Sequence, residues 1–254
     1  MGISRPFPSG LAGKAGATLG YGVRECVNRG SDVGPVRCAL LIALSWLSFC
    51  ALFIAAAAVY PGGNWLDRTA PGYHFFANYF CDLTQPVSLS GVKNPLGSRL
   101  AQLSMSCFAL ALAGFFWLVP RFFGPPGRLG TWVRVLGECA VLCYLAVPFT
   151  PSELFGDLHA WLSLVAGGFG LVAALCAVWG LLRGDRGARV LGLLGALALV
   201  AGGVHAAIFV RALYAHESAP LFVPAVQKLA AALLSGWMLG VAWLTLSRRR
   251  EIVP

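Results

Sequence analysis

The stretch from Cys38 to Tyr60 reads CALLIALSWLSFCALFIAAAAVY and carries no charged residue. About 20 apolar residues in an α-helix cross a hydrocarbon core about 30 Å thick, so this run is long enough to span a bilayer. Lipid offers no water to stray backbone groups, which makes a self-bonded helix the expected form. Runs of the same kind follow at Leu100 to Val119, Thr131 to Phe149, Leu158 to Leu182, Val190 to Val210 and Ala225 to Leu246. A barrel would need segments of about ten residues with alternating hydrophobicity, and none is present. The expected fold is all-α, a polytopic membrane protein of six transmembrane helices with a long first outer loop containing a short amphipathic helix. The bundle occupies 38–246, between a disordered basic cytoplasmic tail at 1–37 and a cytoplasmic basic tail at 247–254.

Composition agrees. Of 254 residues, 58% are hydrophobic and 11% charged, against about 25% charged in soluble domains, and a soluble protein is thereby excluded. The net charge of +9 is explained first by orientation in the bilayer, so membrane lipids rather than nucleic acid are the expected partners; a protein partner or oligomer is left open. With the amino terminus inside, fourteen of the 19 basic residues fall on the inner side and five (Arg68, Lys93, Arg99, Arg211 and Lys228) on the outer side. This asymmetry predicts a multi-pass protein of the cell membrane with both termini cytoplasmic. The eight cysteines form no C-x-x-C pair and mostly lie in apolar runs, as packing thiols do. Gly167, Gly168, Gly170, Gly192, Gly195, Gly202 and Gly203 are expected to let the fourth and fifth spans approach closely.

This topology places all four histidines (His74, His159, His205 and His216) on or near the outer face, together with Asp67, Asp82, Glu153, Asp157 and Glu217. Within the long loop, residues 73–83 read YHFFANYFCDL. As a helix, this segment would carry Phe76, Phe80 and Leu83 on one face and His74, Asn78 and Asp82, at steps of four, on the other. Asp157 is positioned to cap the fourth span. His205 lies several residues inside an apolar span, where an ionisable group is costly and marks a candidate site. Lys228, about one turn inside the sixth span, can reach outward along its stem. Arg134 and Glu138, four apart on the third span, are expected to form a structural ion pair.

The reading that follows makes Asp82, His159 and His205 ligand or metal candidates near the outer boundary, supported by His74, Asn78, Asp157 and Lys228. Histidines beside carboxylates suit zinc, although no H-x-x-x-H or H-E-x-x-H occurs. Ser152, Ser163 and Cys81 lie on the same side without a G-x-S-x-G elbow. Two functions remain open: an outward-facing polar pocket that binds or passes a small ligand, lipid or ion, or a membrane-embedded hydrolase or transferase, zinc-dependent in one form, acting on a lipid-like substrate.

Asn78, Asp82 and Leu83, in N-Y-F-C-D-L, followed by Asn94 and a span from about Leu100, resemble a group of uncharacterised bacterial six-helix integral membrane proteins. That group carries N-x-x-S-D-L-G after its first helix and an acidic-to-histidine stretch opening the fourth. Here Cys81 stands for the serine, Thr84 for the glycine, and Asp157 with His159 fits the later stretch. The resemblance, over about residues 38–246, implies architecture and site choice. A more distant likeness, to seven-helix metal-dependent lipid amidases, lacks the paired histidines of their last helix.

Overall fold

The computed structural model describes residues 33–123, 127–215 and 222–250. Its helices are α1 (Val33–Ala58), α2 (Pro95–Leu118), α3 (Arg128–Ala146), the short α4 (Ser152–Phe155), α5 (Asp157–Leu182), α6 (Arg186–Ala215) and α7 (Val223–Arg250). Six are long and apolar enough to cross a membrane, and the chain is a multi-pass helical membrane protein. Most of the 1–37 and 247–254 tails, with His216 and Glu217, lies outside the described residues.

The long helices form a ring in which α1 packs on α2 and α7, α2 on α3, α3 on α5, α5 on α6 and α6 on α7. Its apolar core centres on Phe115, Trp237, Ile42, Leu181 and Met238, with the Phe115 and Trp237 rings edge to face at 4.8 Å. Outward-facing Leu44, Ile54, Leu142, Leu197 and Trp243 are exposed, as suits helices whose other faces meet lipid tails. The seven cysteines among the described residues are free.

Close helix approach is confined to part of the glycine set. A Cβ on Gly195 would come within 2.5 Å of the Trp237 ring, whereas one on Gly167, Gly168, Gly202 or Gly203 would meet nothing within 4 Å. The helices α5 and α6 are joined by a short turn at 183–185 and meet tightly near it, so glycines farther along the pair have no close neighbour to accommodate.

Arg134 and Glu138 do not form the expected pair. The Arg134 Nε donates to the Trp117 carbonyl at 3.3 Å, and the guanidinium lies 4.8 Å from the Trp117 ring centroid. A long side chain near a helix end gains more from the open carbonyls ending a neighbouring helix than from a carboxylate on its own turn. Among the described residues the ion pair is instead Arg248 with Asp185, across the end of the bundle opposite the long loop.

Residues 61–94 form a compact cap on the other end. Gly63, at φ +83°, is required by close approach, since a Cβ there would fall 2.4 Å from the Ser90 nitrogen. Asn64 Oδ1 accepts from the Leu66 and Asp67 amides at 2.8 and 2.9 Å, a side-chain substitute for a backbone turn. Residues 87–93 double back as a small hairpin in which the Ser88 amide donates to the Val92 carbonyl at 2.8 Å. The cap is tied to the helices by Leu83, fully buried against Ala56, Tyr60 and Ala101, and by Ser98 Oγ donating to the Thr84 carbonyl at 2.7 Å. Asn94, at the start of α2, donates from Nδ2 to the Leu83 and Gln85 carbonyls at 3.2 and 3.1 Å.

Candidate functional site

The 73–83 segment is not one continuous amphipathic helix. A turn over residues 75–77 is followed by a 3₁₀ turn at Cys81–Thr84. Two of the three polar residues expected to line a stripe terminate the helical ladder instead. Asn78 Oδ1 accepts from the His74 amide at 2.9 Å, and Asp82 Oδ2 accepts from the Tyr79 amide at 2.7 Å. Short polar side chains bonding nearby amides compete in this way with helix hydrogen bonds. Asn78 and Asp82 consequently point inward, 0% and 2% exposed, whereas His74 and Phe76 face outward.

Asp82 is the centre of a buried network. The Trp65 indole N–H reaches both carboxylate oxygens, at 3.2 and 3.1 Å. Asn78 Nδ2 donates to Asp82 Oδ2 at 3.2 Å and to the Gly63 carbonyl at 2.9 Å. Burial raises the Asp82 pKa above the ordinary carboxyl value, while the Tyr79, Asn78 and Trp65 hydrogen bonds and the nearby Lys228 charge pull it back. Burial, with Asp82 alongside, pushes the Cys81 thiol up to about 12, which keeps it protonated and poorly nucleophilic at neutral pH.

Lys228 does not extend into water. It is 4% exposed, donates from Nζ to the Asn78 carbonyl, and sits 4.5, 5.6 and 5.8 Å from the ring centroids of Phe80, Phe75 and Tyr73. The preceding Gln227 accepts from the Phe80 amide at 3.0 Å. A cation removed from water is tolerated where aromatic faces and a carbonyl replace its hydration. The first two turns of α7 thus hold the underside of the cap.

The other side of Asp82 faces a cavity of about 270 Å³ lined by Trp65, Arg68, Asp82, Gln85, Val87, Ser88, Leu89, Ser152 and Glu153. Its far wall is set by Gln85, which donates from Nε2 to Ser152 Oγ at 2.8 Å and accepts from the Glu153 amide at 3.3 Å. At the rim, Arg68 lies 5.1 Å from the Trp65 ring centroid and donates to the Leu89 carbonyl at 3.5 Å. The residues that complete this site, Trp65, Arg68, Gln85 and Ser152, carried little sequence signal. Ser152 is visible as an outer-side hydroxyl, and Arg68 and Gln85 lie close to the outer carboxylates Asp67 and Asp82, but nothing in the sequence joins them with Trp65 into one site.

The two interior histidines do not line the cavity. The His159 Nδ1 is engaged with the Thr150 carbonyl at 2.7 Å, because Pro148 and Pro151 turn the end of α3 back over the start of α5. The His205 Nδ1 is buried without a hydrogen-bond partner, and its ring lies within electrostatic reach of Lys228. Among the described residues no three His, Cys, Asp or Glu side chains are grouped closely enough to hold a metal ion. Asp82, His159 and His205 therefore do not make the shared zinc centre that the sequence suggested. Asp157 is exposed at the first position of α5 and caps nothing with its side chain; the N-cap is Gly156, at φ +47°.

No family model, curated protein or solved structure matches the chain.

Proposed function

We propose that this is a multi-pass cell-membrane protein, both termini cytoplasmic, whose outward-facing pocket binds a small polar ligand. The observation that carries this reading is the cavity floored by Asp82. A buried carboxylate held by an indole, an amide side chain and a backbone amide is costly to build, and it lines a space of about 270 Å³. That volume lies just below the range of about 300–1,000 Å³ typical of pockets for drug-sized ligands, which points to a smaller molecule than a phospholipid. Lipid tails fit the exposed apolar faces of the helices instead. The hydrolase or transferase reading draws no support from this geometry: His159 and His205 do not line the cavity, and Ser152 Oγ is an acceptor for Gln85.

The outward orientation rests on the sequence topology, which assigns fourteen of the 19 basic residues to the inner side and five to the outer side, where the cap lies. A cysteine introduced between residues 61 and 72 should label from outside intact cells, and one within 184–188 should not; external labelling at 184–188 rejects the orientation. Binding is tested by thermal unfolding in detergent with butylamine, butyrate, butanamide or glucose present, since a ligand of the folded state raises its stability by mass action. At least one probe should stabilise the parent protein and not Ser152→Trp or Val87→Phe, each of which fills the cavity from a different wall. No stabilisation by any probe, or stabilisation that both filled variants retain, removes the pocket reading.

A further inference from the structure

Resting on the pocket reading above, we infer that the ligand carries an ammonium group, which docks between the Asp82 and Glu153 carboxylates against the Trp65 indole.

The first observation is the unused capacity of the floor carboxylate. An ionised carboxylate offers about four lone-pair sites. Asp82 Oδ2 accepts from Trp65, Asn78 and the Tyr79 amide, while Oδ1 accepts only from Trp65, at 3.2 Å. Asp82 lines the cavity, and Oδ1 is the carboxylate oxygen with fewer protein donors, the one an ammonium group inside would engage. Trp65 is the one protein donor to Oδ1, whereas Oδ2 takes three.

The second observation is charge. The titratable groups lining the cavity are Asp82, Glu153 and Arg68, two acids and one base. The Arg68 guanidinium is drawn toward the Trp65 ring and the Leu89 carbonyl and makes no ion pair with Asp82 or Glu153. Lys228 bears on Asp82 from the opposite side, bound to the Asn78 carbonyl and enclosed by Phe80, Phe75 and Tyr73, and it does not line the cavity. The cavity lining itself carries two carboxyl groups, on the floor and far rim, against one cation on the near rim, with Lys228 bearing on Asp82 from behind. An ammonium group answers the floor, and an aromatic wall adds attraction for a cation. Ser88, Ser152 and Gln85, which also line the cavity, bring further oxygen acceptors to it, each already sharing one hydrogen bond within the protein.

Two sources share this chemistry: a simple amine, and a zwitterion of amino-acid type whose carboxylate meets Arg68. The probes are butylamine, norvaline and butyrate, titrated against the purified full-length protein by calorimetry or thermal shift. Butylamine and norvaline should bind, and butyrate should not. Asp82→Asn should weaken both ammonium probes about ten- to hundredfold, the loss of one charge-assisted bond. Glu153→Gln, a change at an exposed rim side chain, should weaken them about two- to fivefold and keeps the test open where Asp82→Asn folds poorly. Arg68→Gln separates the sources: norvaline falls to the level of butylamine if the zwitterion is the better ligand, and a ratio that Arg68→Gln leaves unchanged assigns the amine alone.

Butyrate or a neutral probe binding in a manner that Ser152→Trp abolishes, with no ammonium probe doing so, overturns the ammonium assignment and leaves the pocket intact. Ammonium binding that neither Asp82→Asn nor Glu153→Gln weakens also overturns it. Absence of any Ser152-sensitive binding overturns both readings together.

Discussion

In the middle of the bundle and toward its far end, Trp237, Phe115, Met238, Leu181 and Val241 fill the space between helices. At the cap end the fully or almost fully buried residues include Asn78, Asp82, Thr84, Gln85, Asn94 and Lys228. The first region needs only shape: apolar side chains interdigitate, and any that do not fit face lipid at little cost. The second depends on its polar atoms being answered, as most are apart from Asn94 Oδ1, because a donor or acceptor buried without a partner forfeits its hydration. Shape complementarity tolerates small errors, whereas a connected polar network does not. A membrane protein that needs only to span lipid has no use for the second kind of region, which is why the cap end is where function is sought.

Four measurements press on that contrast, the largest effect first. Trp237→Ala opens a cavity against Phe115 and Gly195 and should cost about 3–5 kcal/mol of stability, while any ammonium probe still binds the protein that remains folded; loss of probe affinity in step with stability would show that the two regions are not separable. Asn78→Ala removes the bonds to the His74 amide, the Gly63 carbonyl and Asp82 at once, and should cost about 2–4 kcal/mol together with probe binding. If Asn78→Ala unfolds no more easily than the parent protein, the network is decoration on an apolar scaffold.

The third is pH dependence. The Asp82 carboxyl is raised above its usual value of 3.8 by burial, so the folded state holds its proton more tightly than the unfolded chain does. That contribution is fully present below the ordinary carboxyl range and declines as pH rises through the raised value. Thermal unfolding of the parent protein and Asp82→Asn, compared across this window, should show the parent losing stability relative to the variant as pH increases. A difference that grows with the opposite sign would mean that the hydrogen bonds from Trp65, Asn78 and Tyr79 outweigh burial. The smallest effect is expected at the far end, where Arg248→Ala breaks a half-exposed ion pair with Asp185 and should cost less than about 1 kcal/mol, diminishing further in high salt.

Much of the architecture was legible in the residues. Six apolar runs, the Pro148 and Pro151 pair closing α3, and a single connection long enough to build something at 61–99 all have local physical causes, although α2 starts at Pro95, five residues before the run read from the sequence. Length against bilayer thickness, and the need to satisfy each backbone group within its own segment, act on a stretch of chain without reference to the rest. Asn78 and Asp82 stood out for the same reason: their spacing of four was visible, although its meaning differed, since both bond their own turn rather than lining an open stripe.

What the tertiary structure decided is everything that depends on residues distant in sequence. Nothing in the sequence around Lys228 indicates that its ammonium would bond the Asn78 carbonyl, 150 positions away, rather than reach outward. Nor does it pair Gln85 with Ser152, 67 positions away, or turn Arg134 from Glu138 to Trp117. His159, His205 and Asp82 all read as lying near the outer boundary, but depth is one coordinate of three. Rotation about each helix axis and the order of helices around the ring fix the other two, and both arise from packing across the bundle, where no periodicity within a single segment carries information.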